Sequence, residues 1–284
     1  MESVFISGLG MIGSSLARNI KQGNQQVKIL GYDPELVNGE FLISEHDVDQ
    51  LTSFASGAES ADVIFLCGPV DVIKQQITEL ATLNLKKDVV VTDVGSTKQE
   101  IMSVAHQLRD KQITFVGGHP MAGSHLTGAR SGRSDLFVGA AYFLIPTSAD
   151  NAGVVRIQRL LSNANVNWQL VTAKEHDSFV GAGSHLPHII ASTLALSALK
   201  TIDNTTVDAK LVAGGFCDTT RIAAADPDMW TAIMDSNREI ILEQLNQFND
   251  ELKKLKTAIE QKNKAQIHDF FSDAQKIRKT IDRR

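Results

Sequence analysis

The sequence has little cysteine, no excess of basic residues and no signal-like start, and each of these absences excludes a class of protein. Its 284 residues include two cysteines, Cys67 and Cys217, far apart in the chain. This favours reduced thiols in the cytoplasm over a disulfide framework. The formal net charge is -5 without a basic run, so nucleic acid and anionic membranes are poor partners. No apolar run looks long enough to span a membrane, and we expect a cytoplasmic globular protein.

A glycine-rich loop follows the first apolar strand, residues 4–7, and leads into a segment with helical spacing of apolar residues. Gly8, Gly10 and Gly13 fit a tight turn, close approach of a pyrophosphate, and close packing of helix on strand. The start of the helix offers backbone N–H groups to that phosphate. We therefore predict a dinucleotide site whose loop comprises Gly8, Gly10, Met11, Ile12 and Gly13.

A carboxylate ends the second apolar run, residues 27–32. Asp33 lies about twenty residues after the last glycine, where a carboxylate binds the adenosine ribose hydroxyls. Pro34 and Glu35 supply no arginine for a 2′-phosphate. NAD is therefore favoured over NADP.

The alternation of strand, loop and helix continues to about residue 172 and predicts a Rossmann-type, doubly wound α/β fold with a mostly parallel sheet. Ligands of such sheets bind outside the carboxyl ends of the strands. We therefore expect one edge of the sheet to carry the glycine loop, Gly68 with Pro69, Gly95 with Ser96, and His119. Ser96 can hydrogen-bond the nicotinamide or a substrate hydroxyl, or it can cap a helix that begins near Lys98.

His119 follows a strand-like run, residues 113–116, and two glycines. Pro120 biases it toward an extended or turned backbone. A histidine presented at a strand end is a candidate proton acceptor. The alternative is a loop histidine bonded to nearby backbone.

After Thr172 the strand signals stop, so we predict two domains, a dinucleotide-binding domain over 1–172 and an all-helical domain over 173–284. A long helix over 174–200 has Pro187 as its expected kink. Ser184 and His188 share one side of it. His176, His185 and His188 are the candidate metal ligands in this half of the chain. Neither a His-Glu-x-x-His motif nor carboxylates at zinc spacing occur, so we expect no metal.

Arg221 follows two glycines and offers a planar fork for a carboxylate, although a salt bridge to Asp218 is the alternative. Asp226 and Pro227 predict the start of a further helix. That helix carries an apolar seam over 241–259. Such a seam is typical of core packing but also suits a homodimer interface.

These motifs, in this order, resemble the prephenate/arogenate dehydrogenase family of tyrosine biosynthesis, in the form that lacks an ACT domain. The resemblance covers nearly the whole chain. The glycine loop is common to many dehydrogenases, whereas three other stretches are far more specific: HPMAG at 119–123, SHLPH at 184–188 and DTTRIA at 218–223.

The resemblance implies NAD-dependent oxidative decarboxylation of prephenate to 4-hydroxyphenylpyruvate. It makes His119 the acceptor of the substrate hydroxyl proton and Ser96 the residue that orients that histidine and the nicotinamide. It also makes Arg221 the anchor of a substrate carboxylate, with Ser184 and His188 lining the pocket.

His125 stands where many members of the family carry glutamate. Histidine at this position would favour prephenate over arogenate, because the ammonium group of arogenate prefers an acid nearby. Arogenate dehydrogenase remains the nearest alternative. A related β-hydroxyacid or imine dehydrogenase would want a catalytic lysine in the first long helix, and Lys174 lies too near its start. A dimer that senses NAD without turnover is the alternative outside catalysis.

Overall fold

The computed structural model describes residues 1–123, 126–146, 152–202, 204 and 213–282. The chain forms two compact units, residues 1–237 and 238–284. The strands are β1 (Ser3–Ser7), β2 (Lys28–Tyr32), β3 (Gln50–Leu51), β4 (Val63–Leu66), β5 (Val90–Asp93), β6 (Thr114–Pro120), β7 (Ala141–Pro146) and β8 (Asn167–Leu170). The helices are α1 (Met11–Gly23), α2 (Leu36–Ser44), α3 (Phe54–Ser60), α4 (Val70–Leu80), α5 (Gln99–Arg109), α6 (Ala152–Leu160), α7 (Ala173–Val180), α8 (Leu186–Ile202), α9 (Gly214–Thr220), α10 (Pro227–Ser236), α11 (Arg238–Glu260) and α12 (Lys264–Asp282).

The strands form one sheet in the order β3-β2-β1-β4-β5-β6-β7-β8. Neighbouring strands are parallel except β6 and β7, which are antiparallel. Because β1, β2, β4, β5 and β6 run in the same direction, their carboxyl ends share one edge, as the sequence predicted. The mostly parallel, doubly wound fold class is confirmed.

Apolar side chains from both faces of the sheet form two cores, which is why β4 is apolar at every position and β1 is apolar at its three middle positions. Val4 and Ile6 of β1 pack on the face that is covered by α1 and α6. Phe5, between them, faces the opposite core with α3, α4 and α5. The alternation along β1 therefore fixes which helices flank the nucleotide loop that follows it.

The predicted long helix after the sheet is confirmed, with an irregularity where the sequence predicted a kink. A π-helical turn, Gly181–His185, joins α7 to α8, and the Leu186 N–H bonds to the Gly181 carbonyl. Pro187 comes directly after Leu186 and has no N–H to donate to the helix. The π turn therefore lies just before the residue at which the helical hydrogen bonds are interrupted. π turns of this kind are frequent at functional sites.

Among the described residues, the helical run Ala173–Ile202 is the one that could cross a membrane by length and composition, with a mean hydropathy of 1.2 in its most apolar window. The expectation that no apolar run reaches this length was therefore wrong for this helix. His176 and Asp177, inside the run, have fully buried, hydrogen-bonded side chains. The start of this run therefore packs within the first compact unit, and 28% of its most apolar window is buried.

Asp226 and Pro227 begin α10, as predicted, with the Asp226 carboxylate accepting from the Asp228 N–H. The helix does not continue into the apolar seam, because Asn237 ends it in a non-helical conformation. The seam lies on α11, which packs against α12 in the second compact unit. On that helix Ile241 and Ala258 are buried, whereas Leu252 and Ile259 are more than half exposed.

Candidate active site

The glycine loop between β1 and α1 has the backbone that the sequence predicted. Gly8 has φ of 94°, a conformation that favours glycine, and its N–H bonds to the Tyr32 carbonyl at 2.8 Å. A side chain at Gly13 would collide with the Gly8 carbonyl. Beside Gly10, the N-cap residue of α1, no described atom lies within 4 Å of where a Cβ would be. The loop is therefore closed against the strand and open at the helix start, as a pyrophosphate requires.

Asp33 lies at the end of β2 and is tied to this loop. One carboxylate oxygen accepts the Leu9 N–H at 2.6 Å, and the other accepts the Glu35 N–H at 2.9 Å. Asn38 donates to the same carboxylate at 3.2 Å and accepts the Ala129 N–H at 3.0 Å. The carboxylate expected to bind the ribose is thus held beside the glycine loop.

The ends of β5 and β6 meet around the buried carboxylate of Asp93. Its two oxygens accept the N–H of Gly95 at 2.8 Å and of Gly118 at 3.0 Å. The same carboxylate pairs with the Lys98 ammonium, and neither side chain has any exposed surface. This network brings the turn that carries Gly95 and Ser96 next to the strand end that carries His119. Gly68 and Pro69 lie at the end of the adjacent β4, with Pro69 as the N-cap residue of α4.

His119 lies on β6 itself, because the strand extends through Pro120 and pairs with β7. Its Nδ1 is 2.8 Å from Nε2 of His176, and Nδ1 of His176 is 2.7 Å from the Asp177 carboxylate. The alternative of a loop histidine bonded to backbone is therefore wrong. Instead, the imidazole has a side-chain partner on α7.

The Asp177 carboxylate also caps α5. Its oxygens accept the N–H of Lys98 at 2.7 Å and of Gln99 at 2.8 Å, which are the first donors of that helix. Lys98 occupies the N-cap position, so Ser96 is not the cap residue. A half-buried Ser96 in the turn before the helix stays available for a ligand.

Burial keeps these histidines neutral. The pKa of His119 lies well below 6.5, mainly because the imidazole is desolvated and also because His176 and Lys98 are near. Burial also lowers the pKa of His176, against the opposing effect of the Asp177 hydrogen bond. It lowers the pKa of His185 to about 4. A neutral His119 is the form that can accept a proton.

A second group of side chains surrounds the π turn. His185 is buried and its Nδ1 lies 3.1 Å from the Asn237 amide nitrogen, which also donates to the Asp177 carbonyl at 3.0 Å. His188 stacks on Trp230 of α10 with ring centroids 3.5 Å apart. His188 thus contacts α10, and Ser184 is half-buried on the π turn that precedes α8.

Arg221 begins a 3-10 turn, Arg221–Ala224, that packs against α8. Its side chain is exposed and forms no ion pair among the described residues, so the salt bridge to Asp218 is not formed. The planar fork is therefore free to bind a carboxylate. His125 lies outside the described residues. Within the described ranges, no group of three or more His, Cys, Asp and Glu side chains is arranged to hold a metal ion.

The sequence did not reveal the residues that position His119. His176 was weighed only as a metal ligand, and Asp93, Lys98, Asp177 and Trp230 were given no role in the site. One signal was present: a histidine followed directly by an aspartate at the start of the first helix after the sheet. Its meaning depends on a contact between residues 57 apart in the chain, which periodicity does not predict.

The fold and the site together define a dinucleotide-dependent dehydrogenase: a glycine loop on β1, a carboxylate on β2, and a neutral histidine at the end of β6. Comparison with known protein families supports this class. A family model for the nucleotide-binding domain of prephenate dehydrogenase matches residues 16–170, and a model for its dimerization domain matches residues 172–273. The chain belongs to the prephenate dehydrogenase family.

A prephenate dehydrogenase of Lactococcus lactis subsp. cremoris is 38% identical over 283 residues, covering 99% of this chain and 78% of the relative. The structure of prephenate dehydrogenase from A. aeolicus, solved with hydroxyphenyl propionate and NAD+, is 29% identical with a TM-score of 0.87 and covers 99% of this chain and 98% of that one. Arogenate dehydrogenase of Synechocystis is 27% identical with a TM-score of 0.84, covering 98% and 99%.

Proposed function

We propose that this protein oxidises and decarboxylates prephenate to 4-hydroxyphenylpyruvate with NAD as the hydride acceptor. The observation that carries the proposal is His119, a neutral imidazole at the strand edge that the glycine loop and Asp33 share. The Lactococcus relative and the A. aeolicus structure support the substrate class and the cofactor. NAD supplies the two-electron acceptor when bound, and this chain must position the substrate and receive a proton.

The residues that would hold NAD fit it. The open helix start at Gly10 suits the pyrophosphate, and Asp33 suits the ribose. The rest of the loop (Gly8, Met11, Ile12, Gly13) and the adjacent strand ends (Gly68, Pro69, Gly95) complete the cofactor site in this proposal.

His119 takes the proton of the substrate's ring hydroxyl while hydride leaves the carbon that bears this hydroxyl. The ring carboxylate departs as carbon dioxide, and His119 returns the proton to the phenolate oxygen of the product. Aromatisation of the ring drives the reaction, so the protein needs mainly a positioned base and carboxylate anchors. In this assignment Ser96 orients the histidine and the nicotinamide. Arg221 binds a substrate carboxylate, with Ser184, His188 and His125 around the substrate.

Three further proposals accompany this function. The functional domain boundary lies at 172/173, supported by the family models, which meet at residues 170 and 172. The protein acts as a homodimer through its helical domain, supported by the dimerization-domain match and by exposed apolar side chains such as Leu252. It acts in the cytoplasm, supported by its two free cysteines.

Arogenate dehydrogenase is the second candidate, because the Synechocystis enzyme shares the fold over almost the whole chain. The two functions separate in one experiment that compares kcat/KM for prephenate and arogenate, each with NAD and NADP. We expect prephenate with NAD to be preferred. A preference for arogenate would reassign the substrate, and thermal stabilisation by NAD without turnover of either would indicate a non-catalytic sensor.

A further inference from the structure

The chain of contacts behind His119 determines which of its two nitrogens carries a proton. Asp177 Oδ1 accepts the Lys98 N–H at 2.7 Å and therefore acts as an acceptor. The same oxygen lies 2.7 Å from Nδ1 of His176. Nδ1 of His176 must then be the donor, because two acceptors would repel each other at this distance.

The assignment propagates to His119. In a neutral imidazole one nitrogen donates and the other accepts. With its proton on Nδ1, His176 presents the lone pair of Nε2 to Nδ1 of His119 at 2.8 Å. Nδ1 of His119 is then the protonated nitrogen, and its Nε2 carries the lone pair.

We propose that His176 and Asp177 are positioning residues that hold His119 in the Nδ1–H tautomer, so that Nε2 accepts the substrate proton. This inference rests on the proposed function. The O–H bond of the substrate breaks, its proton forms the Nε2–H bond, and His119 becomes an imidazolium whose Nδ1–H still donates to His176. Hydride leaves for NAD, the oxidant, and carbon dioxide leaves as its bonding electrons pass through the ring to the oxygen. The imidazolium then returns its proton to this phenolate oxygen, which gives the phenol of 4-hydroxyphenylpyruvate.

The Asp177 carboxylate links the relay, the hydrogen-bonded chain His119–His176–Asp177, to the rest of the site. Asp177 binds the first two N–H groups of α5, and the turn before that helix carries Ser96. His176 and Asp177 have no exposed side-chain surface, so water does not compete for these hydrogen bonds. The base is therefore held in register with the turn predicted to contact the nicotinamide, in the way that an aspartate orients a catalytic histidine in other enzymes.

The tautomer can be read directly from ¹⁵N chemical shifts and long-range proton couplings of the imidazoles in ¹⁵N-histidine-labelled protein. The His119 signals are assigned by their loss in His119→Asn. We expect Nδ1 of His119 to be protonated and Nε2 to be unprotonated in the substrate-free protein at neutral pH. A protonated Nε2 with a bare Nδ1 would overturn the proposal.

Two substitutions of His176 provide the kinetic test. Glutamine can present an amide oxygen near the position of Nε2 and accept from His119, whereas asparagine is too short to do so. We expect His176→Asn to lower kcat by about 10²–10³-fold with little change in KM, and His176→Gln to recover part of that loss. Equal rates for the two variants, or an undiminished kcat in His176→Asn, would contradict the role.

A matched control lies in the second compact unit. His268 is also followed by an aspartate, with Nδ1 3.4 Å from the Asp269 carboxylate, but both side chains are more than three-quarters exposed. His268→Asn should leave kcat, KM and the His119 tautomer unchanged. Because the tautomer is measured without substrate, absent turnover in the wild-type protein would refute the proposed function, whereas a protonated Nε2 in an active enzyme would refute only the relay.

Discussion

Replacing Lys98 with methionine tests the buried network that joins β5 to β6. The substitution removes an ammonium with no exposed surface and leaves the Asp93 carboxylate in the same dry environment. The carboxylate would keep only the N–H groups of Gly95 and Gly118. Breaking a buried ion pair on one side costs about 3–5 kcal/mol. For a unit of 237 residues, that corresponds to a fall in melting temperature of roughly 6–20 °C.

Guanidinium and thermal unfolding, followed by circular dichroism, measure this loss. Lys276→Met is the control, because Lys276 pairs with Asp273 at the surface with both side chains more than two-thirds exposed; we expect no measurable change there. The double variant Asp93→Asn/Lys98→Met should be less destabilised than Lys98→Met alone, because it removes the uncompensated charge. A loss below about 1 kcal/mol in Lys98→Met would refute the reasoning.

Three further outcomes are expected in steady-state assays with prephenate and NAD. His119→Asn should lower kcat by about 10²–10⁴-fold with a modest change in KM; a nearly normal kcat would exclude it as the base. Arg221→Ala should chiefly raise KM for prephenate, and an unchanged KM would remove its assigned role. The acid limb of the kcat/KM profile should lie below pH 6.5, because the lowered pKa keeps the His119 imidazole neutral as the pH falls through that value. A limb at or above pH 6.5 would contradict this burial effect.

Periodicity and glycine placement predicted the sheet, the dinucleotide loop and the helical second half, because these features depend on local sequence. The short elements between Asp33 and β4 were not predicted. The strand β3 has two residues and α3 has seven, too few for a period to stand out. The long helix predicted to continue past residue 236 instead ends at Asn237, whose amide bonds to the Asp177 carbonyl and to His185. That interruption is a tertiary effect.

The candidate site was predictable to a similar degree. His119, Asp33 and the glycines follow strands, so topology alone placed them at one edge. His176 and Asp177 come from a helix that begins more than fifty residues later, and their role depends on packing. Burial also determines whether the base is neutral, since desolvation is the main cause of the lowered pKa of His119. The local sequence pattern does not reveal how deeply a side chain is buried or which distant residue it contacts. The positioning residues His176 and Asp177 could therefore be identified only from the structure.

The most direct test of the proposed function is to measure the products when purified protein is mixed with prephenate and NAD. We expect NADH, carbon dioxide and 4-hydroxyphenylpyruvate to form in equal amounts. Absence of NADH, or NADH formed without release of carbon dioxide, would contradict it.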